Sequence, residues 1–242
     1  MKIALIGYGK MGKEIEKAAI DKGHEISMRL TSAEMKNAVP GLLANSDVAI
    51  EFTRPDAAYS NIKFCFDAGI PVVVGTTGWY EHLDEVKSTC EAGGKAILYA
   101  SNFSLGVNIL FEINRKLAKI MNQYPQYDVM IDEIHHTKKL DAPSGTAISL
   151  ANGIIENIDR KNKWVNDDQA STDKSSLKIH SERIGEVSGT HIVKYISGND
   201  VIELHHDAFN RSGFATGAVM AAEWIFGKTG CYTMNDVLMF NA

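Results

Sequence analysis

Short apolar runs alternating with amphipathic stretches organise the first part of the chain. Lys2 to Ile6 reads as a strand. After Gly7-Tyr8-Gly9-Lys10-Met11-Gly12, the spacing of Ile15, Ala18 and Ala19 predicts a helix over Glu14 to Lys22. Further strands are expected at Glu25 to Leu30, Asp47 to Thr53, Ile70 to Val74 and Ala96 to Ala100. Helices are expected at Ala57 to Ala68 and Tyr80 to Ala92, whereas Thr31 to Ser46 lacks clean periodicity and reads mostly as loop with room for a short helix. This alternation predicts a parallel, doubly wound sheet of the α/β class, in which ligands gather beyond the carboxyl ends of the strands.

The pattern then changes. Leu105 to Asn122 is an amphipathic helix with Leu110, Ile113, Leu117 and Ile120 close to one face, and Gln123-Tyr124-Pro125-Gln126 breaks it. A strand from Tyr127 to Ile134 leads through a polar turn to a helix at Ala147 to Ile158. Asp159 to Ser176 is polar without periodicity, a solvated loop or a mobile lid. Three strands follow without intervening helices: Leu177 to Ile184, Gly189 to Ile196 and Asp200 to Ala208. The separator Ser197-Gly198-Asn199 is a hairpin turn, and the succession predicts antiparallel pairing in a mostly antiparallel or mixed sheet, a second, α+β domain. In the last helix, Thr216 to Phe226, the small residues Ala218, Ala221 and Ala222 predict tight packing, back on the first domain.

Composition narrows the classes. A content of 45% hydrophobic and 23% charged residues with five prolines is that of an ordinary globular protein, which sets disorder aside. The formal charge of -5 gives no electrostatic reason to expect nucleic acid. No apolar run approaches membrane-spanning length, and the first residues run directly into the glycine motif, as a first strand rather than a signal peptide would. Cys65, Cys90 and Cys231 are odd in number and widely spaced, the pattern of reduced structural thiols in a cytoplasmic protein.

Two stretches carry candidate chemistry. The first is the G-x-G-x-x-G pattern between strand and helix, the context of a dinucleotide fingerprint: Gly7 for the tight turn, Gly9 for the pyrophosphate, Gly12 for close helix packing. Beyond the second strand a typical NAD site has an acidic residue. Here the chain offers Arg29, Thr31 and Ser32, leaving room for the 2'-phosphate of NADP near Arg29 or Lys36. The loops at Gly7, Phe52, Gly75 and Asn102 fall on the same sheet edge. Phe52 can equally be core, Gly75 to Gly78 a plain turn, and Asn102 a helix cap.

The second stretch runs from Asp132 to Ala147 and brings together His135, His136, Lys138, Lys139, Ser144, Gly145 and Thr146. A histidine can donate a proton near neutral pH, a lysine attracts carboxylates, and the free amides after Ser144 and Gly145 suit an anion. A surface histidine pair and an ordinary N-cap are the bland alternative. No carboxylate or cysteine stands at an obvious zinc spacing, and no metal is expected. Arg183 and Arg211 are candidates for gripping a substrate carboxylate in the second domain.

From Glu133-Ile134-His135-His136 through Lys139-Leu140-Asp141-Ala142-Pro143-Ser144-Gly145-Thr146-Ala147 the chain resembles the 4-hydroxy-tetrahydrodipicolinate reductase family, also called dihydrodipicolinate reductase. The likeness extends to Gly7 to Gly12, Phe52-Thr53, Gly75-Thr76-Thr77-Gly78, Asn102-Phe103-Ser104, His180 to His191, and Arg211 with Phe214 to Ala218. The resemblance implies a Rossmann-like dinucleotide-binding domain over residues 1–103 and a substrate and oligomerisation domain over 104–214. A segment over 215–242 would return to the first domain. It implies reduction of a cyclic hydroxy-imine dicarboxylate to tetrahydrodipicolinate, with loss of water, by NADPH or NADH in lysine and diaminopimelate biosynthesis.

By the same resemblance His135 is the proton donor and Lys139 the activating, carboxylate-binding lysine. His136, Ser144, Gly145, Thr146 and Arg211 bind substrate. Gly7, Tyr8, Gly9, Lys10, Met11, Gly12, Arg29, Phe52, Thr53, Gly75, Thr76, Thr77, Ser101, Asn102 and Phe103 line the cofactor. The expected assembly is a homotetramer through the substrate domain, in the cytoplasm, without nucleic-acid or membrane partners. The chain departs from the family pattern at Lys10, at Thr31 and at Ser101, which leaves the choice between NADH and NADPH open. A related dehydrogenase of another small acid and a non-catalytic dinucleotide-binding regulator are the competing readings.

Overall fold

The structure, a computed structural model, describes residues 1–166 and 173–240. In chain order its elements are β1 (Lys2–Ile6), α1 (Lys10–Asp21), β2 (Glu25–Leu30), α2 (Ser32–Met35), β3 (Val48–Glu51), α3 (Pro55–Asp67) and β4 (Val72–Val74). Next come α4 (Leu83–Gly93), β5 (Ala96–Tyr99), α5 (Leu105–Met121), β6 (Asp128–His135), α6 (Gly145–Ile155), β7 (Lys163–Asn166) and β8 (Ser176–Arg183). The chain ends with β9 (Thr190–Ile196), β10 (Val201–Asp207), α7 (Ser212–Ile225), β11 (Gly230–Tyr232) and α8 (Met234–Val237). They form two compact units, Met1–Leu105 with Arg211–Ala242, and Gly106–Asn210.

The first unit is a parallel sheet in the order β11-β5-β4-β3-β1-β2. Ile3, Leu5, Ile50 and Val73 face α1 and α7 on one side; Ala4, Ile6, Ala49 and Val74 face α3 and α4 on the other. Burial on both faces explains why these strands read as continuous apolar runs. The small residues of α7 lie in the first of these cores, and a Cβ on Gly217 would stand 1.8 Å from the carbonyl oxygen of Phe103. Only glycine permits that approach. The sequence reading did not anticipate β11, which adds an edge strand beside β5, because a run of three residues carries no usable periodicity.

The second unit is a mixed sheet, β10-β9-β6-β8-β7. The turn after Ile196 makes β9 and β10 an antiparallel hairpin, with Ile196 opposite Val201. The expected antiparallel partnership of β8 with its successor is not found. Both strands flank β6 instead, β9 antiparallel and β8 parallel to it. The polar segment beginning at Asp159 is not all loop: β7 lies within it and pairs parallel with β8. Residues 167–172, in the middle of the stretch read as a solvated loop or a mobile lid, lie outside the described residues.

Helix α5 also corrects the sequence reading. Its buried stripe is Val107, Leu110, Asn114, Ala118 and Met121, while Ile113 and Ile120 are exposed. The inward face includes Asn114, whose Nδ2 donates to the carbonyl of Leu150 at 3.0 Å. A polar residue turned inward to a distant backbone carbonyl disguised the true face.

Candidate active site

The strand-turn-helix at the start of the chain is shaped by close backbone approach. Gly7 has φ +95, and a Cβ there would lie 2.0 Å from the carbonyl oxygen of Phe52; one on Gly12 would lie 2.3 Å from that of Gly7. At Gly9, by contrast, a Cβ would meet nothing within 4 Å. Gly9 is the N-cap of α1 and offers no side-chain cap, so the helix start presents bare amides over open space. Lys10 is exposed beside it, and Met11 packs on the core. This cradle fits the pyrophosphate of a dinucleotide.

The neighbouring loops are braced against each other. The ring of Phe52 covers Gly75, where a Cβ would lie 2.1 Å from it, and the amide of Thr53 donates to Oγ1 of Thr76 at 2.7 Å. Thr77 and Ser101 are exposed. Asn102 caps the following turn, its Oδ1 accepting from the amide of Ser104 at 2.8 Å. Phe103 is buried in the core, 5.7 Å from the ring of Phe52. Arg29 already has a partner: it ion-pairs with Glu16, which also accepts from Tyr8, and its guanidinium stands 5.8 Å from the centre of the Tyr8 ring.

In the second unit, strand alternation does the positioning. Val129, Ile131, Glu133 and His135 share the buried face of β6, and the register sets His191 opposite Glu133 and Arg183 opposite His135. Nδ1 of His135 lies 2.6 Å from Oε2 of the fully buried Glu133. The other oxygen, Oε1, accepts from Arg183 at 2.9 Å and from the amide of Ser144 at 3.3 Å. Ser144 caps α6 through the amide of Ala147 and meets Nε2 of His191 at 3.1 Å. A Cβ on Gly189 would come within 3.1 Å of Nε2 of His135, so glycine keeps that side of the ring free of a side chain.

The charges are arranged in opposition. Burial alone would raise the Glu133 carboxyl, but bonds from His135, Ser181, Arg183 and Ser144 outweigh it and hold the group well below the usual carboxylate range. Burial, reinforced by the neighbouring His135, pushes His191 down to about 3, so this ring is neutral near pH 7. Lys139 holds both oxygens of Asp141 at 2.8 Å. Gly145 begins α6 in open space, and Thr146 follows half-buried. An imidazole backed by a carboxylate thus shares this unit with a lysine and the start of α6, a set of groups that suits a small dicarboxylate.

The structure groups His135, His136, Lys139, Ser144, Gly145 and Thr146 in one unit. Arg211 is not among them; it is the exposed N-cap residue of α7 in the first unit. Arg183 does not wait for a substrate carboxylate, because one Nη bonds both Glu133 and the carbonyl of Asp141 and the other the carbonyl of Glu182. Sequence reasoning assigned no role to Glu133 or His191. Glu133 stands two residues before His135 on a strand, a spacing that places both on one face and could have signalled the pair.

Comparison with known proteins bears on the whole chain. Residues 1–103 match the model of the dihydrodipicolinate reductase N-terminus and residues 106–238 that of the dihydrodipicolinate reductase C-terminus. The 4-hydroxy-tetrahydrodipicolinate reductase of Christiangramia forsetii is 46% identical over 98% of both chains. That of Neisseria gonorrhoeae is 35% identical over 93% of this chain and 84% of its own. Among solved structures, dipicolinate-bound dihydrodipicolinate reductase from Paenisporosarcina sp. TG-14 shares the fold at a TM-score of 0.75 and 24% identity, covering 96% of this chain and 97% of that one. The doubly wound first unit, the mixed-sheet second unit and these matches together place the chain in the 4-hydroxy-tetrahydrodipicolinate (dihydrodipicolinate) reductase family.

Proposed function

We propose that in this family's reaction, NAD(P)H-dependent reduction of 4-hydroxy-tetrahydrodipicolinate to tetrahydrodipicolinate with loss of water, His135 supplies the proton. The observation that carries this is the buried imidazole with Nδ1 against Glu133 and Nε2 beside Gly189. The carboxylate side orients the ring, and the glycine side leaves Nε2 free to pass its proton to a ligand. Lys139 and the amides at Gly145 and Thr146 receive the two carboxylates of the substrate, with His136 at their side. Asp141 occupies Lys139 in the meantime, as a carboxylate of the chain's own.

The cofactor, when bound, supplies the hydride. Gly7, Gly9 and Gly12 would hold its pyrophosphate, and the braced loops at Phe52-Thr53, Gly75-Thr76-Thr77 and Ser101-Asn102-Phe103 would border the rest of it. Arg29 is neutralised by Glu16, so it adds little net attraction for a 2'-phosphate, and both NADH and NADPH serve. A homotetramer through the second unit belongs to the same reading, supported by the exposed Ile196, Val201 and Ile202 on its edge hairpin. So does a cytoplasmic setting, supported by three free thiols.

The test is a coupled assay in which a synthase forms the unstable substrate from pyruvate and aspartate semialdehyde and nicotinamide absorbance is followed. Wild-type protein should oxidise either cofactor only when synthase product is present. His135→Ala should lower turnover by roughly 10²-fold or more, the typical worth of a positioned acid, with little change in binding of a dicarboxylate analogue. Near-normal turnover in that variant would remove His135 from the role.

A further inference from the structure

Glu133 touches no reacting atom in this reading, yet its charge is held from several sides. Its side chain is completely buried, and three elements converge on it: His135 from β6, Arg183 from β8 and Ser144 from the start of α6. Oε2 stands 2.6 Å from Nδ1 of His135, and the hydroxyl of Ser181 on β8 also bears on the carboxylate. On the remaining side stands His191, neutral and turned with Nε2 to Ser144. Lys139 and Asp141 neutralise each other.

We infer that Glu133 is a positioning residue for the reduction: one oxygen fixes a proton on Nδ1 of His135, and the other holds the Ser144 turn, so one carboxylate aligns the acid with the anion-binding helix start. The inference rests on the reading of His135 as the acid. It follows from counting donors. Around Oε1 are two donors, Arg183 and the Ser144 amide, neither of which can accept; Oε2 faces one imidazole nitrogen, and the Ser181 hydroxyl is a further donor to the carboxylate. A carboxylate accepts from every one of them, which keeps a proton on Nδ1 of His135.

A glutamine cannot do the same. Its carbonyl must turn to Arg183 and Ser144, which leaves its NH2 facing Nδ1 of His135. Nδ1 must then accept, so the ring is confined to the neutral form protonated on Nε2, a very poor acid. The same exchange of carboxylate for amide in the serine-protease triad also traps the wrong tautomer and lowers turnover by about 10⁴-fold.

The experiment is nitrogen-15 NMR of histidine-labelled protein, with steady-state kinetics, on wild type, Glu133→Gln and Glu133→Asp. Wild type should show His135 protonated at Nδ1. Glu133→Gln should show Nδ1 unprotonated, with kcat down by about 10²- to 10⁴-fold and KM for the nicotinamide cofactor nearly unchanged. Glu133→Asp, which keeps the charge, should retain the Nδ1 proton and recover much of the turnover; a purely structural role would leave both variants equally impaired with the tautomer unmoved. If Glu133→Gln does not fold, the wild-type spectrum still decides, since an unprotonated Nδ1 there overturns the inference. A displaced tautomer with undiminished kcat would refute the acid role of His135 and with it the catalytic part of this inference, whereas an undisplaced tautomer refutes the inference alone.

Discussion

Alanine at Gly7 and alanine at Gly9 should separate folding from cofactor binding, although both residues belong to one short motif. At Gly7 the backbone has φ +95 and the new Cβ would fall 2.0 Å from the Phe52 carbonyl oxygen. Forcing an L residue into positive φ costs about 1–2 kcal/mol, and relieving an overlap in a packed interior about 1–3 kcal/mol more. The sum, about 2–5 kcal/mol, corresponds to a drop in melting temperature of roughly 4–20 °C for a chain of this length. At Gly9 φ is -88 and a Cβ would meet no protein atom within 4 Å, so stability should change by less than about 1 kcal/mol. That methyl would instead fill the space above the first amides of α1. Dinucleotide affinity should fall at least about tenfold, which is about 1.4 kcal/mol. Urea unfolding and calorimetric titration with NADH on both variants provide the measurements. A Gly9→Ala protein that binds NADH like wild type, or a Gly7→Ala protein as stable as wild type, would show that the cradle has been misread.

Two further outcomes follow from the electrostatics. Replacing Glu16 with glutamine releases Arg29 from its counter-charge, and should tighten 2',5'-ADP several-fold relative to 5'-AMP while raising the NADPH to NADH ratio of kcat/KM; unchanged ratios would place Arg29 away from the ribose. His191 is neutral in the folded protein down to about 3, but an unfolded chain protonates it near its ordinary value of about 6.5. Between those values the unfolded state binds more protons, so stability falls as pH falls through that window, by up to a few kcal/mol. Glu133, held below its ordinary range, adds a loss of the same sign once pH drops below about 4.3. Replacing His191 by asparagine should flatten the upper part of this acid limb in urea titrations, and an unchanged slope between about pH 4 and 6 would contradict the assignment.

Much of this was legible because it is local. The run from β1 through the glycines into α1 declares itself by apolar spacing and by residues that alone tolerate positive φ, and both are properties of neighbouring residues. The stretch from His135 to Thr146 declares its chemistry by residue type within a dozen positions, and its Ser-Gly-Thr helix start appears where the pattern puts it. The family likeness rests on the same contiguous letters.

What tertiary structure decided is the set of relations between distant positions. Whether β8 lies beside β9 or across β6 depends on the partner each edge meets, and no run of side chains states it. The buried stripe of α5 was hidden because Asn114 turns inward to a carbonyl on α6. Arg183 and Glu133 sit fifty residues apart, and nothing in the sequence pairs them until β6 and β8 are set parallel. Arg29 looked free for a phosphate until α1 brought Glu16 against it. Apolar periodicity and glycine stereochemistry are carried by the sequence itself, because their physics acts between neighbours. The pairing of buried charges arises only from packing, since the low dielectric that makes such pairs obligatory exists only once the chain has folded around them.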